Sequence, residues 1–231
     1  MSSRYKRHTL VWLSPAGWEQ AGASLTPALR AQLQRWQQHD WPAVVRRRDA
    51  DATDEQVCLG IALPPDTSGH KLRVPLRVAS QHIRRQRPPL LIAEVLLQAP
   101  QAWRTALARL QQQAQALDLR VYGSLALQAL TGEAYLRPGS DIDLLFQPDN
   151  AQQLVDGMQL LATYASALPL DGEVVFPQGA VAWKEWQQVC DHPDGRVLLK
   201  GNNNVALLLV AEVVAALTTL ARPSSCELPT C

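Results

Sequence analysis

Residues 9–13 read Thr-Leu-Val-Trp-Leu, a short apolar run that predicts a buried strand. From residue 24 to 38 the period lengthens. Leu25, Leu29, Leu33 and Trp36 recur at three- and four-residue steps, which predicts a helix with Ser24 as its N-cap. Beyond Trp41-Pro42, the runs AVVRR and VCLGIAL flank an acidic, turn-rich stretch over 49–55, giving strand, loop, strand. In residues 71–78, Leu72, Val74, Leu76 and Val78 alternate with Lys71, Arg73 and Arg77, the period of a half-exposed strand. Pro75 lacks an N–H to donate, so that strand belongs at an edge or a bulge. Charge and proline cluster at Arg84–Pro89, the best boundary candidate in the chain.

In the second half, residues 90–97 fit a helix or a strand. After Pro100, which suits a helix's first turn, Trp103, Leu107, Leu110, Ala114 and Leu117 form one helical stripe. Residues 119–122 then form a short strand that runs directly into Gly123-Ser124 and the helical LALQAL, which Gly132 terminates. Pro138-Gly139 marks a turn before a strand over 141–146. Helices are predicted over 150–167, 180–189 and 203–220, and strands over 172–176 and 196–200. The pattern implies an α+β protein. A small N-terminal α+β domain spans 1–88, a second domain with a mixed sheet flanked by helices spans 89–222, and 223–231 is a flexible tail.

Composition narrows this little. A 47% hydrophobic and 19% charged chain of 231 residues is ordinary for a soluble globular protein. The four cysteines form no C-x-x-C pair, and no 18-residue apolar span occurs, so a cytoplasmic protein with reduced thiols and no membrane partner is expected. Charge changes the picture more. Residues 1–90 carry 14 Lys and Arg against 7 Asp and Glu, a net +7; residues 91–231 carry 8 against 14, a net −6. A basic front half favours an anionic partner. The acidic second half argues against nucleic acid as substrate.

The candidate chemistry lies in that acidic half. On a strand, Asp141 and Asp143 share a face, with α-carbons roughly 6.5 Å apart. Two such carboxylates repel each other unless a cation holds them, and Mg²⁺ or Mn²⁺ is the natural choice. Gly123-Ser124, where a strand opens into a helix, offers backbone N–H groups, a hydroxyl and a helix dipole to a phosphate. Together these parts describe metal-assisted phosphoryl or nucleotidyl transfer. Glu173 is the first choice for a third metal-binding carboxylate, with Asp171 as the alternative on the same strand face. Lys184, Lys200 and Arg137 are candidates to face a polyphosphate.

On these residues, segment 121–146 (VYGSLALQALTGEAYLRPGSDIDLLF) resembles the polymerase-β-type nucleotidyltransferase superfamily, although Tyr122 stands where a first glycine often sits. Together with RHTLVWL, VVRR, Pro88-Pro89, DGEVVFP and AVAWKEW, the chain over about residues 7–215 is similar to the malonate decarboxylase holo-acyl-carrier-protein synthases, also called phosphoribosyl-dephospho-coenzyme A transferases. The resemblance implies that 89–222 is a nucleotidyltransferase-like catalytic domain. It further implies transfer of a 2′-(5″-phosphoribosyl)-3′-dephospho-coenzyme A group, from the triphosphate donor to a serine of the decarboxylase's apo acyl-carrier subunit, with diphosphate leaving. Arg46, Arg48, Lys71 and Arg73, with Arg47 and Arg77, then become candidates to bind either the carrier or the donor. Two other readings stay open at this level: a nucleotidyltransferase that adenylylates a small molecule, protein or tRNA, and a non-catalytic nucleotide-binding regulator.

Overall fold

The structure is a computed structural model that describes residues 5–192, 194–202 and 204–220. Its first sheet contains β1 (Leu10–Leu13), β2 (Ala43–Val45), β3 (Gln56–Ala62), β4 (Arg73–Ala79) and β5 (Ile83–Arg87). They pair antiparallel in the order β4-β3-β2-β1-β5. β4 is an edge strand, where the missing N–H of Pro75 breaks no ladder. The opposite edge is β5, so the charged stretch that reads as a boundary is a strand up to Arg87, and only Pro88-Pro89 separate the two sheets. Charge on an edge strand discourages pairing with other chains.

Two helices, α1 (Pro15–Gly22) and α2 (Pro27–Gln38), cover this sheet. The helix α2 buries Leu33 and Trp36, as the stripe requires, but starts three residues later than expected. Its N-cap is Thr26, not Ser24, with Pro27 in the first turn. Proline costs nothing there, because that N–H has no intrahelical partner. The short helix α1 has too few turns to show a period; Ser14 caps it by accepting from the Gly17 N–H, again ahead of a proline.

The second sheet, with its helices, follows in chain order as β6 (Leu90–Leu91), α3 (Ile92–Val95), α4 (Gln101–Gln113), β7 (Asp118–Tyr122), α5 (Gly123–Thr131), β8 (Ile142–Gln147), α6 (Ala151–Tyr164), β9 (Leu170–Phe176), β10 (Gly179–Ala182), α7 (Trp183–Val189), β11 (Arg196–Lys200), β12 (Val205–Leu209) and α8 (Val210–Leu220). The strand order is β12-β11-β10-β9-β8-β7-β6. Only β8 and β9 are parallel, and α6 makes the crossover between them. The α+β class with a mixed sheet is therefore the fold. Two helices predicted from sequence begin as strands. Residues 179–182 turn back on β9 as a hairpin, and 205–209 pair with β11 along their whole length. Short apolar runs do not distinguish the two states, and cross-strand pairing decides them. The tail over 223–231 lies outside the described residues.

The strand β1 joins the two cores. Val11 and Leu13 pack into the first core, while Leu10 and Trp12 on its other face pack into the second. That is why its sequence is apolar without alternation. Tyr135, from the second half of the chain, is fully buried in the first core and donates from its hydroxyl to the Ala62 carbonyl at 2.7 Å. Among the described residues, no helix is long and apolar enough to cross a membrane.

Candidate active site

The strand β7 ends at Tyr122, and α5 begins at Gly123 without an intervening loop. Gly123 has φ +68°, in the left-handed region where an L side chain is strained. A Cβ at that position would also overlap Asp143 Oδ2. The turn thus needs glycine twice over, and it packs directly against the acidic strand. Register completes the arrangement. β7 pairs with β8 so that Tyr122 faces Asp143, and β9 lies parallel to β8 so that Asp171 also faces Asp143. Asp141 stands two residues ahead of Asp143, just before β8 begins.

The electrostatics follow from this crowding. Burial pushes the Asp143 carboxyl up to about 6; the charges of Asp141 and Asp171 add to the rise, while Lys71 and Arg73 oppose it. Among the described residues, no hydrogen bond relieves Asp141 or Asp143. Asp171 accepts from the Gly172 N–H at 2.8 Å and lies 3.2 Å from Lys184 Nζ. No three carboxylate, imidazole or thiolate groups among the described residues already converge as a preformed metal cage. The donor set nonetheless fits a divalent ion, because Mg²⁺ is commonly held by one or two carboxylates with substrate phosphates and water filling the remaining positions.

Glu173 stands elsewhere. It faces Leu145 across the ladder rather than Asp143, and is only 7% exposed. Arg7 donates to it at 3.2 Å, His8 Nε2 lies 3.3 Å away and Lys200 Nζ 3.6 Å away. Burial alone would raise its pKa, but the hydrogen bond from His8 and the charge of Arg7 outweigh that and hold it at about 2. A carboxylate already matched by three basic groups is a poor metal ligand, so the geometry favours Asp171 over Glu173 as the third carboxylate. Asp171→Asn should therefore raise the Mg²⁺ concentration for half-maximal activity by about tenfold or more, while Glu173→Gln leaves it within about twofold. Metal titrations of initial rate check this; the reverse pattern restores Glu173 to the ligand set.

Asp143 opens onto a cleft of about 810 Å³ that lies between the sheets. Gly123, Ser124, Asp143 and Lys200 line it from the second sheet, and Lys71, Arg73 and part of Arg46 from the first. Lys71 Nζ donates to Ser124 Oγ. The other basic candidates are engaged elsewhere. Arg137 is exposed and donates to the Asp66 carbonyl, outside the cleft lining. Arg46 is on Asp49 and Arg48 on Asp54, whereas Lys184, though outside the cleft lining, ion-pairs with Asp171 at the acidic cluster itself. Arg7, His8 and Tyr122, none of them among the site residues expected from sequence, also line the cleft. His8 holds φ +66°, unusual for a non-glycine residue, and its ring lies 4.3 Å from that of Tyr122. Burial, then the charges of Glu173, Asp143 and Asp171, push the Tyr122 phenol up. Arg7 and His8 open the RHTLVWL segment, but only folding of that segment across the second sheet brings them here.

Comparison with known proteins bears on both halves. A family model described as the phosphoribosyl-dephospho-CoA transferase MdcG N-terminal domain matches residues 6–89, and the corresponding C-terminal domain model matches residues 90–211. A phosphoribosyl-dephospho-CoA transferase of Xanthomonas campestris pv. campestris (strain 8004) is 40% identical over 207 residues, covering 87% of this chain and 93% of the relative. One from Bradyrhizobium diazoefficiens is 37% identical over 185 residues, covering 78% and 80%. One from Pseudomonas aeruginosa is 31% identical over 219 residues, covering 89% and 94%. No solved structure gives a significant match.

Proposed function

Because the chain belongs to the phosphoribosyl-dephospho-CoA transferase family, and is thus an enzyme of the transferase class, we propose that it completes an acyl-carrier protein. The group moved is 2′-(5″-phosphoribosyl)-3′-dephospho-coenzyme A, the donor is its 5″-triphosphate, and the acceptor is a serine of the apo acyl-carrier subunit of malonate decarboxylase. The serine oxygen bonds to the α-phosphorus as the bond to the bridging oxygen breaks. Diphosphate leaves with that electron pair, and the hydroxyl proton is released. The site is of the polymerase-β nucleotidyltransferase type.

One observation carries this reading: Gly123 is packed against the Asp143 carboxylate, so a phosphate held at the turn lies beside the acidic cluster. The Gly123-Ser124 turn and the start of α5 bind and orient the polyphosphate. Asp141, Asp143 and Asp171 would hold divalent ions. Mg²⁺ or Mn²⁺ in a two-metal arrangement supplies activation of the attacking hydroxyl and charge stabilisation of the departing diphosphate. Lys200 and Arg7 keep the far wall positive, with Glu173 fixing both. Incubation of the protein with the triphosphate donor, Mg²⁺ and the apo carrier subunit, followed by intact mass spectrometry, tests it. A carrier mass increase equal to the phosphoribosyl-dephospho-coenzyme A group is expected; an unmodified carrier beside folded enzyme counts against the assignment.

A further inference from the structure

We infer that the N-terminal sheet is a donor-binding element, and that Lys71 and Arg73 on its edge complete the polyphosphate subsite begun by Gly123-Ser124. The inference rests on the proposed reading and deepens it, since the net +7 of residues 1–90 fits a phosphorylated donor and an acidic carrier protein equally well.

The distribution of that charge separates the two. Much of it is neutralised within the sheet. Arg46 and Arg77 both reach Asp49, Arg77 also reaches Asp51, and Arg48 pairs with Asp54. Hydrogen bonds from Arg46 and then Arg77 hold the Asp49 carboxyl well below the usual carboxylate range, the mark of a satisfied ion cluster. Such a cluster offers little net potential to a docking protein. By contrast Arg47, Lys71 and Arg73 have no ion-pair partner among the described residues, and all three line the cleft. Unpaired cations gathered into a concave site, rather than spread over a convex surface, suit a compact polyanion.

The placement of Lys71 is more specific. Its ammonium is bonded to Ser124 Oγ, so a cation from the first sheet sits on the phosphate turn of the second. Lys71 and Arg73 also line the same cleft as Gly123, Ser124 and Asp143, which places both cations opposite the acidic cluster. A triphosphate at the turn would therefore be contacted from both sheets at once. The α-phosphate would lie near the carboxylates and the departing phosphates near Lys71 and Arg73. As positioning residues for the leaving group, these two should act on donor binding and leave carrier recognition alone.

Calorimetric titration with inorganic tripolyphosphate in the presence of Mg²⁺, beside steady-state kinetics with donor and apo carrier, tests this. In the Lys71→Ala/Arg73→Ala protein, the tripolyphosphate Kd and the donor KM should each rise at least tenfold, with the carrier KM within twofold of wild type. Arg48→Ala, outside the cleft, should change neither. If the double variant loses its fold, Lys71→Met, which keeps the aliphatic stem, carries the same expectation. A raised carrier KM with unchanged donor KM overturns the inference, and so does wild-type protein that fails to bind tripolyphosphate. If tripolyphosphate binds through Lys71 but no carrier is modified, the inference stands and the donor assignment falls.

Discussion

Asp143→Asn should lower the rate of group transfer by about a thousandfold or more while making the metal-free protein more stable. Both effects come from one source. Asp143 is half-buried beside Asp141 and Asp171 and, among the described residues, is not relieved by a hydrogen bond, so its charge is costly until a cation arrives. Its folded pKa of about 6 exceeds its ordinary value of 3.8. The folded state therefore holds this proton more tightly than the unfolded chain does. Stability from this group is greatest below the unfolded value and falls as pH rises through the folded one. At neutral pH the amide should recover on the order of 1–3 kcal/mol. Urea titrations of wild type and variant check it: the gain should vanish below about pH 4 and reach its full size above about pH 6. Full activity in the variant sinks the metal proposal; equal stability at pH 7 and pH 4 sinks the electrostatic account.

Glu173 contributes with the opposite sign. Its folded pKa of about 2 lies below the ordinary 4.5, so its stabilisation is present above the unfolded value and is lost as pH falls toward 2. The acid limb of wild-type stability comes from such depressed carboxylates, Glu173 beside Arg7 and His8 and Asp49 beside Arg46 and Arg77, rather than from Asp143.

The second large effect is expected at Gly123. Gly123→Ala should reduce transfer by about a hundredfold or more and cost several kcal/mol of stability. A left-handed φ costs an L residue roughly 1–2 kcal/mol. The remainder comes from the new methyl overlapping the Asp143 carboxylate, which moves either the phosphate turn or the acidic strand. Gly132 separates the two terms. It has φ +73°, but nothing lies within 4 Å of a Cβ built there, so Gly132→Ala should carry the conformational cost alone and keep near-normal kcat. Urea denaturation and donor kinetics on the pair read both terms. Equal loss of activity in the two variants removes the argument that turn and carboxylate form a single packed unit.

Much of this protein was legible along the chain, and the reason is locality. Leu33 and Trp36 repeat on one helical face, Pro75 excludes a central strand, and Gly123-Ser124 needs only its neighbours to become a strand-to-helix turn. Asp141 and Asp143 would share a face by the geometry of any strand, although β8 itself begins at Ile142, one residue after Asp141. The errors at 180–182 and 205–209 arose where short apolar runs carry no period, so that strand pairing decided the state. Which carboxylate stands beside Asp143 depended on register. Sequence puts Asp171 and Glu173 on one strand face, but only the parallel pairing of β8 with β9 sets Asp171 against Asp143 and leaves Glu173 to Arg7, His8 and Lys200. Charge behaved likewise. Composition showed a basic front half, and only tertiary contacts showed that Arg46, Arg48 and Arg77 are neutralised in place while Lys71 and Arg73 face the cleft. Alternation and turn chemistry are properties of a few consecutive residues. Which ion meets which is set by contacts between residues far apart in the chain, and those exist only once both sheets have closed over the site.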